Sequence, residues 1–201
     1  VPTVQDLEKA HQYYYNEVST EDVFYRVATE LVNLTMHKKT KDVNLADAIA
    51  ILLETWNQAY FRFNPSASKR ILPSIKELLK KHNQLISDLR QRSIESYCED
   101  DIEMVKTLFQ EFQEPFGKTG AAKCLHLLAP RFFPLWDAKI AAAYKKSYKI
   151  KKCGDGDLYC HFMKITKRQV MILDEEYRIR RNPLKALDEY NFVTITRRKE
   201  L

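Results

Sequence analysis

Between Pro115 and Tyr144 the chain reads PFGKTGAAKCLHLLAPRFFPLWDAKIAAAY, and two kinds of chemistry can be built from it. The first is phosphate binding by backbone alone. A tight turn containing Gly117 and Gly120 opens an amphipathic helix, and a helix N-terminus offers unpaired N–H groups and partial positive charge to an anion. Lys118 and Lys123 flank that turn and add screened Coulomb attraction. The second is carboxylate chemistry: Asp137 follows sixteen residues after Ala121, beyond Pro130 and the apolar run Phe132, Phe133, Pro134, Leu135, Trp136. It stands where a new helix starts, so it can cap that helix, stabilise a cation beside it, or do both.

The helix before the turn, roughly Asp101 to Gln113, supplies the other arm of a helix-hairpin-helix. Read without gaps, PFGKTGA resembles the hairpin pattern G-h-G-x-K-x-A of the helix-hairpin-helix DNA glycosylases, where h is apolar, and FPLWDAKI resembles their segment ending in the catalytic aspartate. The resemblance covers about thirty residues closely. It implies a two-lobed all-α fold in which the backbone from Gly117 through Lys118, Thr119 and Gly120 to Ala121 grips a DNA phosphate. The target nucleotide is then flipped out, and Asp137 stabilises the cationic sugar left as the base departs. In the family's bifunctional members a hairpin lysine attacks the sugar. The position that aligns with it here is Thr119, and Lys118 is one residue early, about 100° around the helix. Pro115 also replaces the first glycine and removes an N–H donor. The reading is therefore a monofunctional glycosylase-like protein, with a noncatalytic nucleic-acid-binding relative as the alternative and a helical protein-interaction domain as the second alternative.

Relatives in that superfamily also carry an iron–sulfur cluster with spacing C-x6-C-x2-C-x5-C. Cys153 and Cys160 reproduce the first interval, but Met163 stands at the third position and Cys98 and Cys124 lie far upstream, so no cluster is expected. His161 beside Cys160 lacks further ligands at zinc spacing, and the expectation is no metal and no other cofactor. No Walker loop, nucleophile elbow, zincin pair or Rossmann fingerprint is present, and four glycines leave little room for a nucleotide-cradling loop.

Each singled-out residue also has a structural use. Trp136, Phe132 and Phe133 read as core anchors, and His126 as a hydrogen-bonded structural histidine. Lys145, Lys146, Lys149, Lys151 and Lys152 can follow a phosphate backbone or simply face water. Tyr13, Tyr14 and Tyr15 span about 200° of a helix, so at least one belongs to the core.

The net charge of +6 and a pI near 9.0 favour polyanionic partners, DNA foremost, while 45% apolar with 30% charged residues describes a globular chain. No apolar run approaches a membrane span and the start, VPTVQDLEKA, lacks a signal-like flank, so the expected setting is cytoplasmic with no membrane partner. Helical periodicity runs nearly throughout. It predicts helices over about 5–18, 20–37, 44–63, 74–91, 101–113, the hairpin's second arm, 138–148 and 157–177, and a short one after Pro183; only Phe192 to Thr196 reads as strand-like. The result is a single all-α unit over 1–201. Its tentative lobes are 43–113 plus the hairpin 114–129, and 1–42 with 137–201.

Thr119 at the lysine position predicts that borohydride traps no covalent adduct with abasic or damaged DNA. Efficient trapping that depends on Lys118 would mean that the hairpin is shifted by one residue.

Overall fold

The computed structural model describes residues 1–37 and 43–201, with the side chains at 18–21, 58, 59, 67 and 68 excepted. Among the described residues every regular element is helical: α1 (Val4–Met36), α2 (Leu45–Trp56), α3 (Gln58–Phe63), α4 (Pro65–Arg90), α5 (Ile102–Leu128), α6 (Ala138–Ser147), α7 (Asp155–Met171), α8 (Glu175–Arg180) and α9 (Pro183–Asn191). None of them is long and apolar enough to cross a membrane.

Local signals start these helices where the sequence places caps. Thr3 and Asp6 form a reciprocal capping box on α1, and Asn44 and Asp47 do the same on α2. Asp137, Asp174 and Asn182 cap α6, α8 and α9 through their side chains. The buried side of α4 carries Ile75, Leu78, Ile86 and Leu89, while Lys76, Lys80 and Lys81 face water as the periodicity requires.

Four boundaries differ from the periodicity reading. The two helices predicted around Thr20 are one, because Leu7, Ala10 and Tyr14 continue in phase into Tyr25, Ala28 and Val32: the eleven residues from Tyr14 to Tyr25 make about three turns. The predicted helix 44–63 breaks at Asn57 (φ −121°), and Phe63 ends 79% exposed instead of extending the buried stripe. Pro73 does not start α4 but lies inside it, on an exposed face where its missing N–H leaves only a solvent-side gap. The predicted helix 157–177 stops at Met171, and Asp174 starts another so that both Leu173 and Tyr177 can be buried. Phe192–Thr196 is a π-helical turn that prolongs α9 and not a strand, with the Arg197 N–H donating to the Phe192 carbonyl at 2.9 Å. No other strand exists among the described residues for it to pair with.

The main core cluster runs from Leu7 in α1 to Leu187 in α9 through both tentative lobes, a small second one joins Ala10 and Tyr14 to Val193, and α1 packs on both α2 and α9. Residues 38–42, where the lobe division falls, lie outside the described residues. The centre of the core is aromatic. Phe109 stacks on Tyr159 with centroids 4.3 Å apart, and Trp136 meets both edge-on at 5.7 and 5.1 Å. The Tyr159 hydroxyl donates to the Pro134 carbonyl at 2.9 Å, which fixes the loop that leads to Asp137.

α5 bends at Gly117, whose φ of 67° and ψ of 168° separate arms 102–116 and 118–128. A β-carbon there would sit 2.8 Å from Cε2 of Tyr60. Gly117→Ala should therefore lose about 2 kcal/mol or more in urea denaturation, because a positive φ with extended ψ is an essentially glycine-only conformation that costs another residue on the order of 1–3 kcal/mol before any clash. In a Tyr60→Ala background only the strain component should remain; an identical loss in both backgrounds would mean that Tyr60 does not crowd the turn.

Candidate functional site

The bend at Gly117 is held from α2 and α3. Asn57 Nδ2 donates to the Phe116 carbonyl at 3.1 Å, and the Tyr60 hydroxyl donates to the Pro115 carbonyl at 3.3 Å, so the last carbonyls of the first arm are satisfied by side chains. This use of Asn57 explains the break between α2 and α3. Among the predicted hairpin residues, Lys118 is exposed and Gly117 and Thr119 are half-buried, but Gly120 and Ala121 are buried. Gly120 has a packing role, since a β-carbon would lie 2.8 Å from both Asn57 Nδ2 and Phe116 Cβ.

Lys118 turns toward Asp155, 3.6 Å away. Lys123 lies four residues after Thr119, one helical turn along the same face. It stands over the Trp56 ring at 5.3 Å and donates to the Trp56 carbonyl. The Trp136 indole N–H donates to the Lys118 carbonyl at 3.2 Å and so ties the loop bearing Asp137 to the start of the second arm.

Lys123, Trp136 and Asp137 open onto one cavity of about 390 Å³, walled also by Tyr14, Phe24, Trp56, Phe192 and Asp188. Asp137 Oδ1 accepts the Ile140 N–H at 2.8 Å as the α6 cap, and Oδ2 lies 3.5 Å from the Thr196 hydroxyl. The cap is therefore real, the second oxygen accepts from Thr196, and the residue as a whole still lines the cavity. Of the three consecutive tyrosines Tyr14 is buried, Tyr13 half-buried and Tyr15 exposed.

Behind the cavity wall is a charge cluster that the sequence reading passed over. Lys185 Nζ stands 3.5 Å from Asp22, 3.6 Å from Asp188 and 3.3 Å from Glu189, and rests on the rings of Tyr14 and Tyr25 at 4.3 and 5.0 Å. Burial alone would lower this ammonium, but Asp188 and Glu189 outweigh it and hold it above its usual range. Lys185, Asp188 and Glu189 at i, i+3, i+4 resemble a solvated helix face in the sequence. The signal that marks them as interior is their interleaving with Leu184 and Leu187, both buried.

His126 is fully buried between the Tyr25 hydroxyl at 2.9 Å and the Phe133 carbonyl at 2.7 Å, a structural histidine as its position suggests. Trp136, Phe132 and Phe133 are core residues. Lys145 is half-buried, and Lys146, Lys149, Lys151 and Lys152 are exposed past the C-terminal half of α6. Lys149 adopts a φ of 51°, and the Ile150 and Lys149 N–H groups donate to the Lys145 and Lys146 carbonyls, a Schellman ending with lysine in the usual glycine position. Among the described residues these lysines form no ion pair, unlike Lys81, Lys106, Lys118 and Lys164. No group of His, Cys, Asp and Glu among the described residues is arranged to hold a metal, and Cys124 and Cys160 are buried with thiols pushed up by desolvation. Comparison with protein-family models, curated proteins and solved structures returned no match.

Desolvation pulls the His126 imidazole down to about 4, against an unfolded value near 6.5. The unfolded chain then binds the extra proton, so this stability is complete above about pH 6.5 and is lost as pH falls toward about 4. Asp188, raised to about 6 by burial, works in the opposite sense over the same range. Between pH 7 and 4 the wild type should therefore lose on the order of 3 kcal/mol more than His126→Gln in chemical denaturation. Parallel pH profiles would contradict a neutral buried imidazole.

Proposed function

We propose that this is a DNA-glycosylase-like protein of the two-lobed, helix-hairpin-helix type, which grips duplex DNA through the turn at Gly117 and takes a flipped base into the cavity beside Asp137. The observation that carries the reading is the meeting of a carboxylate and aromatic walls in one cavity of about 390 Å³, tethered to the hairpin through Trp136. Pockets of this size and lining suit a flat ligand that needs stacking and a few fixed polar groups. Asp137 would act on the sugar: as the glycosidic bond lengthens, positive charge builds on C1′, and a carboxylate in a water-poor cleft stabilises that charge more strongly than water does. Tyr14 and Trp56 would hold the base, and the lysines from Lys145 to Lys152, which form no ion pair among the described residues, would follow the phosphate backbone.

Two features argue for restraint at particular residues. Gly120 and Ala121 are buried, so the phosphate grip would rest on the N–H groups around Gly117, Lys118 and Thr119. Lys118 pairs with Asp155 at the surface and Thr119 stands at the aligned lysine position, which supports the monofunctional reading without lyase activity. The runner-up reading, a noncatalytic DNA-binding module, draws on the capping bond from Ile140 to Asp137, which gives the aspartate a complete structural reason to be there.

Duplex binding should weaken with salt, and the triple variant Lys145→Ala, Lys146→Ala, Lys149→Gly should reduce the slope of log K against log salt by about 2 to 3, at ~0.9 per phosphate contact. Single-turnover assays on duplexes carrying oxidised, alkylated, deaminated or mismatched bases should show base release that disappears in Asp137→Asn while binding persists. Tight, salt-sensitive binding with no release from any duplex would favour the noncatalytic module; binding that ignores salt would count against both and leave a protein-interaction domain.

A further inference from the structure

A second carboxyl, Asp188, opens onto the Asp137 cavity, and neither hairpin nor cap explains it. It lies on α9 one turn after Lys185, its side chain is 16% exposed, and it forms part of the cavity wall with Tyr14, Trp56 and Asp137. The charges around it are unevenly shared. Lys185 serves three carboxylates at once, at 3.3 to 3.6 Å. Asp22 also has Arg26 at 3.4 Å and Glu189 also has His11 at 2.8 Å, whereas among the described residues Asp188 forms an ion pair with Lys185 alone. Lys185 Nζ completes no hydrogen bond with the described residues, so even that pairing is not a close charge-assisted one. A desolvated carboxyl with so little compensation lowers its free energy by holding a proton.

We propose that Asp188 is the proton donor to the departing base, and that the pocket accordingly takes neutral bases, whose departure requires a proton. The inference rests on the glycosylase reading above. As the C1′–N bond breaks, its electron pair stays with the base, and the Asp188 O–H proton moves to a ring nitrogen or carbonyl oxygen of that base. Asp137 carries the charge developing on the sugar. Water then adds to C1′ and gives its proton to the Asp188 carboxylate, so the products are a sugar hydroxyl and a neutral base, and the enzyme is restored. Division of labour between two carboxyls arises when their surroundings differ. Asp137 accepts a backbone N–H as the cap of α6, whereas Asp188 stands on the cavity wall with Tyr14 and Trp56 and shares the Lys185 ammonium with Asp22 and Glu189.

The groups that set the titration of Asp188 are Lys185 and Glu189 on α9, Lys123 on the second arm of α5 and Asp137 ahead of α6, while Asp22 and His11 on α1 pair with Lys185 and Glu189 beside it. Burial raises Asp188 to about 6, Glu189 and Asp137 push in the same direction, and Lys185 and Lys123 oppose them. The carboxyl is therefore protonated at lower pH and gives up its donor role as pH rises through that value.

The test compares single-turnover release of hypoxanthine, a neutral base, with release of 7-methylguanine, which already carries positive charge and leaves without a proton, between pH 5 and 9. In the wild type hypoxanthine release should fall toward tenfold per pH unit above the Asp188 titration, and 7-methylguanine release should stay flat up to neutral pH, where its own N1–H begins to titrate. Asp188→Asn should slow hypoxanthine release about 100-fold and leave 7-methylguanine release, duplex binding and thermal unfolding close to wild type. Equal loss on both substrates, no loss on hypoxanthine, or release of 7-methylguanine alone by the wild type overturns the role of Asp188 while base excision itself stands. Release of neither base overturns this inference, and it removes the glycosylase reading as well only if the wider panel of duplexes also shows no release. The wild-type pH profiles decide the question even if the asparagine variant does not fold, because a flat hypoxanthine profile is sufficient to reject it.

Discussion

The ammonium of Lys185 is the interaction on which the arrangement around the cavity depends. It joins α9 to α1 through Asp22, and its approach to the Tyr14 and Tyr25 rings fixes the aromatic surface behind the pocket. Such a cluster is a poor source of net stability, because removing several charges from water costs about as much as their attraction returns. Its value is conditional. Once three carboxylates are gathered there, loss of the one shared cation would leave them facing each other in a medium that screens them weakly. The position of α9 relative to α1 is thus specified by charge and not by apolar packing alone, and Asp188 reaches the cavity wall as a result.

A second constraint sets the other side of the cavity. The turn at Gly117 is possible because α2 ends at Asn57, which lets Asn57 and Tyr60 accept the task of satisfying the carbonyls of Phe116 and Pro115. Gly120 then allows the second arm to close against Phe116 and Asn57. At its far end, the Arg90 guanidinium donates to the Leu127 and Leu128 carbonyls and to the Asn33 side chain, which anchors that arm to α4 and α1 together. The arm is therefore held at both ends, and Trp136, embedded among Phe109, Tyr159 and Phe162, passes that rigidity on to Asp137. A site positioned in this way needs little loop ordering on binding.

Helical content, the caps at Asn44 and Asp137 and the burial of Trp136 were legible in the sequence because each is a local effect: a period, a side chain beside its own backbone, an apolar run after a proline. The bend at Asn57 was not, since its cause is the Phe116 carbonyl 59 residues away. The continuity of α1 through Thr20 was obscured by an acidic first-turn pattern that looks like a start, and it becomes intelligible only when Tyr14 and Tyr25 are seen to face the same neighbours. Lys185 and Asp188 escaped notice because a charged i, i+3 pair is the ordinary signature of a wet helix surface. What overrides that signature is long-range as well: α1 covers the face.

α6 shows why structural and functional explanations of the same residue need not compete. With ten residues it is about 15 Å long, carrying Asp137 at its N-terminus and lysines at its C-terminus, the order that the helix dipole favours for both signs of charge. Dipole complementarity alone accounts for the residue types. It does not account for Lys149 holding a left-handed conformation that costs a non-glycine residue about 1 kcal/mol, nor for the place of Asp137 on the wall of an aromatic cavity. A helix that only needed ending would do better with glycine, and one that only needed starting gains nothing from a cavity beside its cap. In the proposed function those two ends, joined by one rigid rod, would serve as a phosphate-following edge and a pocket carboxylate.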